Sequence, residues 1–96
     1  MSKTYQIALL SDATGETVTA AAEAVASQFV DMPINISMYP FVRSVERAKS
    51  LIKDFVNVDL VIYTAVHKEI TELIEAESKK LEFKAASLLD PVMKAF

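Results

Sequence analysis

What these 96 residues lack narrows the field first. There is no cysteine, so neither a disulfide framework nor a thiolate metal site can form, and a reducing compartment suits the chain. A single glycine cannot satisfy a GxxxxGK[ST] phosphate loop or a GxGxxG dinucleotide fingerprint, because each needs more than one. One histidine without cysteine excludes a conventional zinc site. The formal net charge is −3 with both signs interspersed, which leaves no basic stripe for nucleic acid and no polybasic segment for a membrane surface. No apolar run approaches the ~20 residues of a membrane-crossing helix. The first residues, Met-Ser-Lys-Thr-Tyr-Gln, lack the basic head and long apolar stretch of a signal peptide. The expectation is one small cytoplasmic α/β domain spanning residues 1–96, with no metal, no nucleic acid and no membrane partner.

What is present is organised around residues 5–17. Residues 7–10, Ile-Ala-Leu-Leu, form the short apolar run that a buried parallel strand needs. Ser11 and Asp12 stop it, Gly15 follows, and from Glu16 the pattern turns helical, with Val18, Ala21, Ala22, Val25 and Phe29 on one face. Strand, tight polar turn, helix is an arrangement that aims unpaired backbone N–H groups and the positive end of a helix dipole at the turn. Ser11, Thr14 and Thr17 add hydroxyls. Two readings follow: the turn binds a phosphate through Ser11, Thr14, Gly15, Glu16 and Thr17, or Ser11, Asp12 or Thr14 simply caps the helix of a non-catalytic interaction domain.

The rest of the chain alternates. The first helix runs over residues 16–30 and ends before Pro33. Ile34, Ile36 and Met38 alternate with Asn35, Ser37 and Tyr39, as a half-covered strand does. Ser44 is placed to cap a second helix carrying Val45, Ala48, Leu51, Ile52 and Phe55. Residues 60–63, Leu-Val-Ile-Tyr, form an apolar, β-branched third strand with the composition of a central one. Residues 64–67 connect it to a third helix over 68–81, where Glu75 and Lys79 stand at i,i+4 spacing. Residues 85–89 read as a fourth strand, ending at Asp90-Pro91.

This order predicts an open four-stranded parallel sheet, with strands near 6–10, 35–38, 60–64 and 85–89 in the order 2-1-3-4 and helices on both faces. In such sheets ligands gather outside the carboxyl ends of the strands, where strand order reverses. Residues 91–96 open a further helix and expose Val92, Met93 and Phe96, so the chain reads as a truncated piece that tends to self-associate. Asp12 and Asp90 are candidates to flank one cleft, and Arg43 and Arg47 to reach an anion at the carboxyl edge. His67 reads as an exposed residue beside a helix start.

Two families compete for the turn. Asp-Ala-Thr-Gly-Glu-Thr at residues 12–17 is similar to the phosphate loop of flavodoxins, with Asp12 where that family has a hydroxyl. A second resemblance covers the whole chain: Ser-Asp-Ala-Thr-Gly-Glu-Thr at 11–17, Tyr-Pro-Phe-Val from Tyr39 with Ala48 following, Val-Ile-Tyr-Thr from Val61 with Lys-Glu-Ile at 68–70, and Leu-Leu-Asp at 88–90. It resembles the N-terminal part of the bacterial and plastid regulatory proteins of pyruvate, phosphate dikinase and phosphoenolpyruvate synthetase. The resemblance implies a bifunctional serine/threonine kinase and phosphorylase. Such a protein uses ADP to phosphorylate a threonine of its target, then removes that phosphate with inorganic phosphate and releases pyrophosphate. It also implies a P-loop-like motif in a C-terminal half outside these residues. The fragment is then inactive alone and holds no cofactor tightly, its partner is one of the two target enzymes, a homodimer is compatible, and Asp12 is a candidate base or metal-side ligand only in the complete enzyme.

Overall fold

The computed structural model describes residues 3–65 and 67–96; of the expected 64–67 connection, Val66 lies outside the described residues. Four strands, β1 (Tyr5–Leu10), β2 (Ile34–Tyr39), β3 (Leu60–Tyr63) and β4 (Lys84–Ser87), alternate with helices α1 (Glu16–Ala26), α2 (Val45–Ile52), α3 (Lys68–Leu81) and α4 (Asp90–Ala95). A short 3₁₀ turn at Phe55–Asn57 precedes β3. All pairings are parallel, in the order β2-β1-β3-β4. The order follows from composition: β1 and β3 are apolar on both faces and take the two inner positions.

Strand alternation divides the core in two. Ala8 and Leu10 of β1 with Val61 and Tyr63 of β3 face α2 and α3, and pack against Ala48, Ile52, Ile70, Ile74, Phe55 and Phe83. Phe55 meets Phe83 edge-on at 6.1 Å and Tyr39 at 5.7 Å between ring centroids. Ile7 and Leu9 point the other way, onto Val18 and Ala22 of α1. Fully burying a side chain such as Leu9 contributes about 1.5–3 kcal/mol, and the alternation spends each inner strand on both layers.

Three expectations are corrected. First, α1 stops at Ala26, not at residue 30. The Ser27 hydroxyl donates to the Ala24 carbonyl at 2.7 Å, and tighter turns follow from Gln28 N–H to Val25 O and from Phe29 N–H to Ala26 O. Val25 and Phe29 point along the expected side but stay 54% and 51% exposed. The reason is the unequal covering of the sheet: α2 and α3 pack on one another as well as on the strands, whereas α1 lies against β1 and β3. Second, the fourth strand is shifted toward the N-terminus, to Lys84–Ser87. Leu88 N–H still donates to Tyr63 O at 2.9 Å, but Ser87 Oγ then accepts from Asp90 N–H and turns the chain into α4. Third, Glu75 does not pair with Lys79. Its Oε2 accepts from the Tyr63 hydroxyl at 2.7 Å, and the ion pair on that helix joins Lys80 to Glu77 at 3.7 Å. Val92, Met93 and Phe96 are exposed, as expected. No helix among the described residues is long and apolar enough to cross a membrane.

Candidate functional site

The polar turn after β1 sits at the carboxyl edge, between the two inner strands whose connections run in opposite directions. The loop after β2 fixes its shape. Ser11 N–H donates to Tyr39 O at 3.1 Å, Val42 N–H to Ser11 O at 2.8 Å, and Phe41 N–H to Ala13 O at 3.0 Å. Phe41 adopts φ 57° to make this exchange, a left-handed conformation costly for an aromatic residue. Arg43 Nε donates to Asp12 O at 2.8 Å while its guanidinium lies 5.0 Å over the Phe41 ring. The turn is therefore held from its β2 side by backbone and by a cation.

Ser11 is 3% exposed, and its Oγ accepts from Ala13 N–H at 3.1 Å. That bond closes the turn and does not cap the helix. Gly15 occupies the cap position of α1 at φ 91°, ψ 7°, and no side chain accepts a hydrogen bond there. The capping alternative is thus overturned: Ser11, Asp12 and Thr14 leave the first-turn amides of α1 without a side-chain partner. By contrast, Ser44 caps α2 as expected, accepting from Arg47 N–H at 3.1 Å. Gly15 fits the position chiefly through its backbone, and any larger residue would also have to push aside the flexible end of Met38. The positive φ suits a residue without Cβ, and a Cβ there would overlap the Met38 methyl and lie 2.7 Å from its sulfur.

Residues 11–17 line a recess of about 220 Å³ together with Thr64 and Leu89. The structure so brings together every residue that the sequence assigned to the turn, and adds Leu89 and one more hydroxyl, that of Thr64. Thr64, the first residue after β3, is 7% exposed, and its N–H donates to Leu10 O at 3.0 Å. Its hydroxyl has no hydrogen-bond partner among the described residues. Thr64 lines the recess beside the turn. Thr64 was legible as a polar strand end; what marks it as part of the site is the adjacency of β1 and β3 in the order 2-1-3-4.

Other candidates fall outside. Asp90 opens α4, pairs with Lys94 at 3.0 Å, and lines a neighbouring recess with Lys68 and Met93, which meets the recess of Asp12 at Leu89. His67 is exposed at the cap position of α3. Arg47 contributes its backbone N–H to the α2 cap. Among the described residues, no group of three or more His, Cys, Asp or Glu side chains could hold a metal. The recess thus offers backbone amides at a helix start and two buried hydroxyls, with the Asp12 and Glu16 carboxylates alongside. Its volume is below the roughly 300–1,000 Å³ usual for drug-sized ligands, and suits a phosphate group better than a whole nucleotide.

Comparison with known proteins gives this geometry a context. The sequence profile of the kinase/pyrophosphorylase family matches residues 7–96. A Bartonella quintana (strain Toulouse) protein provisionally named as a pyruvate, phosphate dikinase regulatory protein is 32% identical over 95 residues, covering 98% of this chain and 34% of that protein. Proteins of the same name from Bartonella tribocorum and Sinorhizobium medicae are 34% and 33% identical, over 98% and 96% of this chain and 35% and 34% of their own lengths. The chain thus spans about a third of the length of these curated relatives. Of the two resemblances carried by the turn, the profile and the relatives select the one that covers the whole chain. The chain belongs to the kinase/pyrophosphorylase family.

Proposed function

We propose that this chain is the N-terminal domain of a bifunctional regulatory enzyme of the cytoplasm, and that its 11–17 turn binds a phosphate. In this reading the parent protein transfers a phosphoryl group from ADP to a threonine of pyruvate, phosphate dikinase or phosphoenolpyruvate synthetase. In the reverse direction inorganic phosphate takes that group and leaves as pyrophosphate. Family membership and the names of the relatives support the first half of the proposal. With one glycine the chain has no phosphate loop for ADP, so the nucleotide would be held by chain outside these residues, and the domain alone would be inactive.

One observation carries the phosphate reading: the first turn of α1 has no side-chain cap and faces two buried hydroxyls at the switch point of the sheet. The helix dipole supplies only about 0.3–1 kcal/mol, so direct hydrogen bonds from Gly15, Glu16, Thr17 and the Ser11 and Thr14 hydroxyls must supply the rest. Asp12 and Glu16 oppose the anion, which sets the expected affinity in the millimolar range. The test is to titrate ¹⁵N-labelled protein with inorganic phosphate, pyrophosphate and ADP while following the amide signals of residues 15–17. Saturable shifts of those amides support the reading. Amides that stay still through tens of millimolar phosphate and pyrophosphate overturn it.

A further inference from the structure

The recess sorts its polar groups by type. The amides of α1 donate. The Ser11 oxygen already accepts from Ala13 N–H, so its own proton is left to donate. Thr64, 7% exposed and without a partner among the described residues, carries a second free hydroxyl at the end of the adjacent strand. Against these donors stands Asp12, half-buried in the same wall and with its backbone pinned by Arg43. An ionised carboxylate only accepts hydrogen bonds. Glu16 also borders the recess but is exposed, where water screens it.

An oxyanion that carries no proton, such as sulfate, can satisfy the donors but presents only lone pairs and charge to Asp12. One that carries a proton can turn its unprotonated oxygens to the donors and its P–OH to the carboxylate. The repulsive group thereby becomes a discriminating one. Resting on the anion reading above, we propose that Thr64 is a binding residue of this recess and that Asp12 accepts the ligand's own proton, so that the site takes a protonated oxyanion, inorganic phosphate, and rejects sulfate.

The experiment compares inorganic phosphate with sodium sulfate at matched ionic strength and pH 7, following the amides of residues 15–18 in the wild type and in Thr64→Val, Thr64→Ser and Asp12→Asn. The wild type is expected to respond to phosphate at a concentration at least about tenfold below that needed for sulfate, the discrimination one well-placed charge-assisted hydrogen bond provides. Thr64→Val should raise the phosphate midpoint about tenfold or more by removing one such bond, and Thr64→Ser should restore it. Should valine disturb the fold, Thr64→Ala deletes the same hydroxyl without a branched side chain, and the same shift is expected. Asp12→Asn should bring the two anions to within about threefold of each other, as the carboxylate is the discriminating group. The proposal fails if the wild type binds sulfate as well as phosphate, or if Thr64→Val and Thr64→Ala both titrate like the wild type. These failures are distinct from failure of the anion reading itself, in which no amide moves with either anion.

Discussion

The two ends of this sheet handle their polar groups in opposite ways. At the amino end the groups are tied to one another. The Asp59 carboxylate accepts from Gln6 N–H at 2.8 Å and from Lys3 Nζ at 2.9 Å, while Asp59 N–H donates to Gln6 O and Lys84 N–H to Asp59 O. Asn35 Nδ2 donates to Gln6 Oε1 at 2.8 Å on the neighbouring strand. At the carboxyl end the backbone is equally well fastened, through Tyr39, Phe41, Val42 and Leu10, but the donors facing the recess are left open. One end uses its hydrogen bonds to hold all four strands in register. The other uses hydrogen bonds to hold a loop and keeps further donors unspent, which costs stability and makes sense where a ligand completes the set.

The sharpest way to break the open end is Gly15→Val. A side chain there must adopt φ 91° and displace Met38, and a left-handed non-glycine residue costs of order 1–3 kcal/mol. The expected outcome is an unfolding free energy lower by that amount in urea denaturation, loss of the phosphate response at residues 15–17, and loss of activity when the change is made in a full-length family member. An unchanged midpoint and full activity would show that the turn tolerates another backbone and has no role at the site.

The closed end is tested by Asp59→Asn, which leaves the recess alone. The Gln6 N–H bond, and secondarily Lys3, hold the Asp59 carboxyl below the usual aspartate value. A group whose folded value is lowered stabilises the fold above its unfolded value, near 3.9, and that stabilisation is lost as pH falls through the folded value. The wild type should therefore lose part of its stability below about pH 4, and the asparagine variant should show a flatter profile there. At neutral pH the substitution should cost about 1–2 kcal/mol, mainly through the backbone hydrogen bond. Lys3 is 78% exposed, so its ion pair contributes less than about 1 kcal/mol. Phosphate titration of residues 15–17 should be unchanged.

How far all this was legible depends on whether a feature is local. The order 2-1-3-4 followed from the two-faced apolar strands at residues 7–10 and 60–63, because only inner positions bury both sides. The Ser44 cap was readable for the same reason: a hydroxyl two residues before a helical glutamate has few other uses there. The end of α1 was not readable. Val25 and Phe29 keep helical spacing, and periodicity gives the direction of a side chain without saying whether anything covers it. The Glu75–Lys79 pairing failed because spacing within the helix cannot reveal that a tyrosine on the preceding strand, 12 residues earlier, competes for the carboxylate. Within the site, residues 11–17 lie together in sequence and were found together. Thr64 enters only through sheet order, 47 positions beyond the end of the turn (64 − 17).

Tyr63 and Thr64 give the comparison its finest form, since they are neighbours on one strand end, both buried and both carrying a hydroxyl. The Tyr63 hydroxyl donates to Glu75 Oε2 at 2.7 Å; the Thr64 hydroxyl has no partner among the described residues. Burial first, and then the Glu75 carboxylate, raise the Tyr63 phenol above its ordinary value. A raised folded value means that the phenol's contribution is fully present below its unfolded value, near 10, and is lost as pH rises toward the folded one. Absorbance titration should accordingly show Tyr63 still protonated at a pH where a free tyrosine has ionised, until the chain unfolds. Tyr63→Phe removes a bond to a carboxylate that is itself exposed, so the expected cost is small, about 0.5–1.5 kcal/mol in chemical denaturation. Its phosphate midpoint should match the wild type. Thr64→Val should behave in the opposite sense, with a denaturation midpoint at or above the wild type because its hydroxyl has no partner to lose among the described residues, and with a weakened phosphate response. If both variants lose stability equally and bind phosphate equally, the distinction between spent and unspent hydroxyls at this edge is wrong.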